Sequence, residues 1–406
     1  MRKERDIVFD ILSKNKYSNI EIRKHSDHPY HAFITHLVYT VYQNYELLVF
    51  QTADFLKSKV IKEIEIILAM AAAQHYFMDS VTEYALVNES VNLAKKINPR
   101  FGGLVNAVLK KMIKRPLQKS QSGDLLVDLS INTSHPLWMV KLLEAQYGFE
   151  KTQQFLLHHN SEPPLDVRYN PLKISEEQLL ETYPVNRIND YLVASSEIFK
   201  TDALDKGYLL IQDRNSQQLV NNIAITKNVV ILDACCAPGT KLTQMATINE
   251  SLKLVGVDLH AHRIDLTQEL VNKWGLSNVE LVVSDILDYK TTQLFDLILC
   301  DVPCSGLGVI RRKPDIKHRI QPQDLDTLES LQAQILDHCA SLLKEGGTLV
   351  YATCTLNKKE NERQVKQFLK RQPSFEMSKE ETLLGIDNNG DSFYSAHLVK
   401  KSGIIK

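Results

Sequence analysis

Two cysteines, Cys304 and Cys354, each stand just beyond a short apolar, strand-like run: residues 295–301 lead through Val302 and Pro303 to Cys304, and 348–352 lead through Thr353 to Cys354. Open α/β sheets bind ligands at the ends of such strands. Two thiols in successive units therefore point to covalent chemistry, with one thiolate as nucleophile and the other as helper. A buried structural role is the commoner fate of a single cysteine, and it suits Cys300 and Cys339. Cys304 differs, because Pro303 before it and Ser305-Gly306-Leu307-Gly308 after it mark a loop. Cys354 lies between a buried strand and a polar helix start.

One reaction that needs a thiolate beside a methyl donor is C5 methylation of a pyrimidine. C5 of cytosine is a weak nucleophile. Attack of a thiolate at C6 breaks the aromatic system and makes C5 enamine-like, so that C5 takes the methyl group. A base then removes the C5 proton and the thiolate leaves. A carboxylate beside N3 and N4 assists, and Asp301 stands at the end of the first thiol's strand for that purpose. The base has to leave its stack to be reached. Arg311-Arg312-Lys313-Pro314-Asp315-Ile316-Lys317 follows and offers cations to a nucleic-acid backbone.

The elements that hold these residues alternate. Strand-like runs at 229–233, 252–258, 279–283, 295–301 and 348–352 are separated by helical stretches, including 262–274, 325–344 and 360–371. The pattern predicts a doubly wound, mainly parallel sheet with its strand C-termini on one edge. The fourth and fifth strands of such a sheet are normally neighbours, so Cys304 and Cys354 are expected to face one cavity. Asp233-Ala234-Cys235-Cys236-Ala237-Pro238-Gly239-Thr240-Lys241 joins the first strand to a helix. Small residues there let the backbone approach a nucleoside closely. The turn is neither a dinucleotide fingerprint nor a Walker A loop. Asp258 ends the second strand, suited to ribose hydroxyls, and Asp285 follows the third, suited to an exocyclic amine. Each acid alone reads as a cap or a solvated turn. Four in order, Asp233, Asp258, Asp285 and Asp301, favour a site for a nucleoside without phosphates, such as S-adenosylmethionine.

The 406 residues suffice for two or three domains, and 24% charged with 44% hydrophobic residues is ordinary globular composition. There is no apolar run long enough to span a membrane and no apolar signal-peptide core behind Met1-Arg2-Lys3, so a cytosolic protein is expected. All six cysteines fall between Cys235 and Cys354 without a Cys-x-x-Cys pair, which suits reduced thiols and no metal site. Residues 1–120 carry 18 Lys+Arg against 12 Asp+Glu, while the rest carry 30 against 37. A basic N-terminal part suggests an anionic partner there, or simply a solvated helical surface. Residues 1–118 read as helical, with the clearest runs at 61–74, 85–96 and 104–113. Gly102-Gly103 with Lys110, Lys111, Lys114 and Arg115 suggests a phosphate contact. A linker is expected at 116–132, then a small α/β unit with a helix opening at Ser134-His135-Pro136 and strands at 165–170 and 207–213.

These motifs together resemble the RsmB/Sun-type 16S rRNA cytosine-5 methyltransferases of the NOL1/NOP2/Sun group, over nearly the whole chain. The most specific parts are Asp301-Val302-Pro303-Cys304-Ser305-Gly306-Leu307-Gly308, Arg311-Arg312-Lys313-Pro314-Asp315 and Tyr351-Ala352-Thr353-Cys354-Thr355. Val87-Asn88-Glu89-Ser90-Val91, Leu93-Ala94-Lys95 and Val105-Asn106-Ala107-Val108-Leu109-Lys110 resemble a NusB-type RNA-binding domain. The resemblance implies three domains: an all-α NusB-like domain at 1–118, a small α/β RNA-positioning domain at 130–212, and a Rossmann-like methyltransferase domain at 213–406. It implies Cys354 as nucleophile and Cys304 as the thiol that aids release. It implies donor contacts from Cys235, Cys236, Ala237, Pro238, Gly239, Thr240 and Lys241, and from Asp258, Asp285 and Asp301. The implied substrate is 16S rRNA or a small-subunit precursor. A tRNA cytosine-5 methyltransferase and a non-catalytic RNA-binding or assembly factor of the same fold are the alternatives. Two places depart from the family pattern. Thr240 stands where the family has glycine, which costs donor affinity if that residue needs positive φ. Residues 211–216, Ile-Gln-Asp-Arg-Asn-Ser, replace the usual Gln-Asp-Ala-Ser run.

Overall fold

The computed structural model describes residues 3–14, 18–79 and 81–402. They form two compact units: one runs up to Ser161 and takes in Ile310–Pro322, and the other comprises Glu162–Val309 and Gln323–Lys406.

The first unit is helical. Its centre is the helix Lys62–Phe77, in which Ile64 and every residue from Ile66 to Gln74 are buried. A helix apolar on all sides has to be surrounded. Glu4–Lys14, His31–Ala53, Glu83–Ile97 and Phe101–Met112 surround it with Ile7, Val8, Leu37, Val41, Leu86, Val105 and Leu109. The helical unit continues beyond these helices to Ser161. The stretch expected as linker holds a helix, Leu125–Thr133, because Asp124 caps it by accepting from Leu126 N (3.0 Å) and Val127 N (3.1 Å). Ser120 Oγ donates to Asp128 Oδ1 at 2.7 Å and ties the preceding turn back onto that helix. Leu137–Tyr147, with Pro136 at its N-cap, and Phe149–His159 complete the unit.

The helix His31–Ala53 is kinked at Asn44 (φ −120°, ψ 17°). There the Leu47 amide donates to Ser134 Oγ at 2.9 Å, a side chain inserted at the bend. The carbonyls before the kink are taken by residues of the 310–322 segment. Lys317 Nζ donates to Gln43 O (3.0 Å) and to Asn160 Oδ1 (2.9 Å), and His318 Nε2 donates to Tyr42 O (3.0 Å).

The second unit holds two sheets. The smaller is antiparallel, with β1 (Asp166–Tyr169), β2 (Val185–Ile188), β3 (Tyr191–Ala194) and β4 (Leu209–Ile211) in the order β2-β3-β1-β4. The helices Leu137–Tyr147 and Phe149–His159 lie in the first unit, whereas Glu176–Thr182 lies with the small sheet in the second.

The larger sheet is mixed. β5 (Val230–Asp233), β6 (Lys253–Asp258), β7 (Val279–Val283), β8 (Phe295–Asp301) and β9 (Leu343–Thr353) are parallel. β10 (Phe375–Leu383) and β11 (Phe393–Lys400) add an antiparallel edge, giving the order β7-β6-β5-β8-β9-β11-β10. The chain leaves β5 in one direction and returns to β8 on its other side, so a switch point opens between β5 and β8. The expected parallel strands are present, and the sheet gains two strands that the alternation did not announce.

Candidate active site

At the switch point β5 runs into the turn that carries Cys235 to Gly239, and the helix Thr240–Ala246 follows. Gly239 has φ +91°, and a Cβ there would meet Thr267 Cγ2 at 2.7 Å, so this position needs glycine. Thr240 is the first helical residue and is not among the positive-φ positions. The strain considered for a β-branched residue there is absent, because the left-handed step falls one residue earlier. The Ala237–Pro238 bond is cis. Asp258, at the end of β6, is buried beneath the turn. It accepts from Ala237 N at 3.3 Å and His260 N at 3.1 Å and pairs with Arg263 at 3.2 Å. Arg263 also donates to the Ala237 carbonyl. Asp258 thus shapes the turn from below. Asp285 is half-buried beyond β7 and accepts from Leu287 N at 2.9 Å.

Lys241, on the first turn of the helix, donates to Asp301 Oδ2 at 2.6 Å, which joins the β5 turn to the end of β8. Burial opposes its charge, but Asp301 outweighs burial, and the amine is held above its usual pKa. Lys241 Nζ also lies 5.1 Å from the Phe393 ring. Asp233 is 1% exposed, and its Oδ1 has no hydrogen-bond partner. Burial, reinforced by the Asp301 charge, pushes its carboxyl up to about 7.

The parallel register sets Asp301 opposite Ala352, so the loops after β8 and β9 leave the sheet side by side. Gly308 N donates to Cys354 O at 2.9 Å, and a Cβ on Gly308 would stand 2.9 Å from that same oxygen and collide with the Ser392 carbonyl. Glycine is what lets the first thiol loop close over the second. Cys304 Sγ and Cys354 Sγ are 3.3 Å apart, within hydrogen-bond reach for sulfur. That bond, with burial, holds the Cys304 thiol well above its ordinary pKa. Cys300 and Cys339 are fully buried in the sheet core, as expected of structural cysteines. Cys235 is held protonated by burial, and Cys236 is pushed up by the same cause.

The chain is 30% identical over 399 residues to the probable ribosomal RNA small subunit methyltransferase B of Bacillus subtilis (strain 168), covering 92% of this chain and 89% of that protein. This chain belongs to the ribosomal RNA small subunit methyltransferase B family. The corresponding protein of Shewanella oneidensis is 29% identical, covering 97% of each chain. Family profiles agree: residues 220–398 match the 16S rRNA methyltransferase RsmB/F family, 2–114 the NusB family, and 135–189 the RsmF/B-like ferredoxin-like domain. The crystal structure of NSun6 from Pyrococcus horikoshii with SFG shares the fold, with a TM-score of 0.59 at 19% identity over 66% of this chain and 99% of that one.

Several expected cations of this family member serve the fold. Arg311 and Lys317 are buried: Arg311 Nε donates to Ser161 O at 3.1 Å, and Lys317 holds the kinked helix. The basic segment 311–317 therefore contributes fewer cations to a solvent-facing surface than its sequence suggests. Gly102-Gly103 and Lys110-Lys111 sit at opposite ends of the helix Phe101–Met112, separated by about 12 Å at the α-helical rise. They do not form one phosphate cradle. Arg115 donates to Asp54 Oδ2 at 2.9 Å and to Gln51 O at 2.7 Å. Residues 212–216 turn inward. Gln212 bonds Arg168 (2.8 Å) and Gln244 (2.8 Å), Arg214 pairs with Asp166 (2.7 Å), and Asn215 donates to Asp391 O (2.7 Å). Among the described residues no cluster of His, Cys, Asp or Glu is arranged to hold a metal, and no helix is long and apolar enough to cross a membrane.

The sequence reading missed Glu360, which lies in the run Lys358-Lys359-Glu360-Asn361-Glu362 and is 0% exposed. The run looks solvated, and burial of its central carboxylate comes only from tertiary packing.

Proposed function

We propose that the chain methylates C5 of a cytosine in small-subunit ribosomal RNA, with S-adenosylmethionine as donor and a transient bond from Cys354 to C6. The observation that carries this reading is the pair of thiols 3.3 Å apart at the β8–β9 edge, beside the Lys241–Asp301 pair. A single structural thiol has no need of a second at that place.

The donor site fits a cationic nucleoside. Asp233 offers a buried acceptor whose Oδ1 has no partner, and the 235–241 turn closes against Asp258. An archaeal structure of the same fold carries SFG, an analogue of S-adenosylmethionine. Asp233, the turn, Asp258 and Asp285 would hold the donor, which supplies an electrophilic methyl group.

Cys354 forms a bond to C6 of the extruded cytosine, and the ring electrons move toward C5. Asp301, paired with Lys241, accepts from the exocyclic N4 amine and excludes uracil, which presents an oxygen there. After C5 gains its methyl group, a solvent base takes the C5 proton, the electrons of that C–H bond restore the C5–C6 double bond, and Cys354 is expelled from C6 as its thiolate. Cys304, held protonated beside the departing sulfur, donates to the thiolate as it leaves.

The test incubates the protein with 16S rRNA and methyl-labelled donor, digests the RNA to nucleosides and separates them. Label in 5-methylcytidine supports the reading. Label confined to any other nucleoside, or transferred to tRNA in preference to 16S rRNA, overturns it.

A further inference from the structure

Glu360 is a fully buried carboxylate held by neutral groups. Its Oε2 accepts from Ser305 N at 2.9 Å and Gln332 Nε2 at 3.0 Å, and its Oε1 accepts from Ser305 Oγ at 2.5 Å and Asn357 Nδ2 at 3.0 Å. Taking a carboxylate out of water costs several kcal/mol and is offset only when its lone pairs are filled. Here donors converge on both oxygens. An ionised carboxylate supplies about four acceptor positions and no donor, and no other side chain does so.

The partners of Glu360 flank both thiols. Ser305 follows Cys304. Gln332 Nε2, bonded to Glu360, also donates to the carbonyl of Pro303, which precedes Cys304, at 2.9 Å. On the other side Thr355, which follows Cys354, meets Ser305 Oγ at 2.7 Å. Asn361, next to Glu360, completes the frame. Its Nδ2 donates to Thr355 O at 2.9 Å, and its Oδ1 accepts from Thr353 Oγ1, before Cys354, at 2.6 Å. Tyr351 on β9 donates to the Glu360 carbonyl at 2.6 Å. The residues before and after each thiol are thus joined through one buried network, while Cys304 and Cys354 themselves are only partly buried.

We propose that Glu360 is a positioning residue that fixes the spacing of Cys304 and Cys354. The inference rests on the two-thiol reading of the site, and it adds what sets the geometry. Attack and departure occur at one sulfur, and the helper has to stand within hydrogen-bond reach of it at the second step. A displacement of about 1 Å in such a site costs on the order of 100-fold in rate.

Two variants test this, with two readouts. Glu360→Gln keeps the shape but turns one acceptor into a donor that faces other donors. Gln332→Met removes the tie to Pro303 together with one of the four donors to Glu360, and leaves the carboxylate itself in place. The first readout needs no RNA: diamide removes one hydrogen from each thiol and leaves a Cys304–Cys354 disulfide, followed by mass spectrometry of the peptides. The wild type closes the disulfide readily. Glu360→Gln is expected to close it at least about tenfold more slowly, and Gln332→Met several-fold more slowly. The second readout is methyl transfer to rRNA. There kcat is expected to fall by about 100-fold in Glu360→Gln and about tenfold in Gln332→Met, with KM for RNA and calorimetric donor affinity unchanged. If Glu360→Gln loses donor binding through misfolding, Gln332→Met carries the test. Wild-type rates of disulfide closure in the folded variants overturn the inference, whatever the RNA chemistry proves to be. Absence of 5-methylcytidine from the wild type, with slowed closure in the variants, overturns the reaction and leaves the positioning role standing.

Discussion

Replacing Asp233 by asparagine is expected to stabilise the protein at alkaline pH while weakening donor binding. The carboxyl is 1% exposed, lacks a partner for Oδ1, and is displaced from an ordinary value of 3.8 to about 7 by burial and by Asp301. In the folded chain it keeps its proton to about pH 7, and in the unfolded chain it loses it near pH 4. Between those values the folded state binds the extra proton, so stability falls as pH rises through the window. That displacement, at about 1.4 kcal/mol per pH unit, amounts to about 4 kcal/mol at pH 8. Asparagine removes that charge but adds an amide donor needing a partner, which costs about 1 kcal/mol. The expected net gain is about 3 kcal/mol at pH 8, with little or none at pH 4. A cationic donor relieves the same burial by pairing with the charged carboxylate. Wild-type donor affinity should therefore rise as pH passes about 7, and in Asp233→Asn it should be lower by about tenfold or more and nearly flat with pH. Urea unfolding at pH 4 and pH 8, with calorimetric donor titrations at pH 6 and pH 8, measures both arms. A variant less stable than wild type at pH 8, or one whose donor affinity keeps the wild-type pH slope, refutes the reasoning.

Other substitutions address the turn, the ion pair and the basic segment. Thr240→Gly should leave donor affinity within about twofold, because Thr240 has ordinary helical backbone, while costing up to about 1 kcal/mol in helix propensity. Gly239→Ala, at φ +91° and against Thr267, should lower both stability and donor affinity; calorimetry and thermal unfolding compare the two. Asp301→Asn should cut single-turnover methyl transfer by about 10²–10⁴-fold, through loss of the Lys241 pair and of the acceptor for N4. Lys317→Met should destabilise the helical unit by about 1–3 kcal/mol while leaving the salt dependence of RNA binding unchanged. A phosphate contact at Lys317 would instead lower that slope by roughly 0.7–0.9.

Much of the sheet was legible because parallel strands are buried on both faces and read as continuous apolar runs. Leu297, Ile298, Leu299 and Cys300 of β8 are of this kind. The edge strand β10 is not: Phe-Glu-Met-Ser-Lys-Glu-Glu-Thr-Leu is mostly exposed and too charged to announce a strand. It exists because β11 pairs with it. The linker composition of 118–123 hid the helix that Asp124 caps two residues later. In the site, the thiols could be placed because neighbouring parallel strands end on one edge. Lys241 could not be matched with Asp301, sixty residues away, because nothing local in either segment records the pairing. The cations at 311–317 read as a surface because charge normally faces water, whereas a kink at Asn44 opens carbonyls that bury Lys317. Glu360 was hidden by the same prior.

The division of labour between the thiols is the central claim, and trapping the RNA–protein adduct tests it most directly. Cys304→Ala, Cys354→Ala and the double variant are incubated with 16S rRNA and donor, denatured, and analysed for a covalent complex by gel and peptide mass spectrometry. The account predicts that Cys304→Ala accumulates a complex joined through Cys354, and that neither Cys354→Ala nor the double variant forms one or methylates RNA. A complex that persists without Cys354, full methylation by Cys354→Ala, or normal turnover without adduct in Cys304→Ala would contradict it.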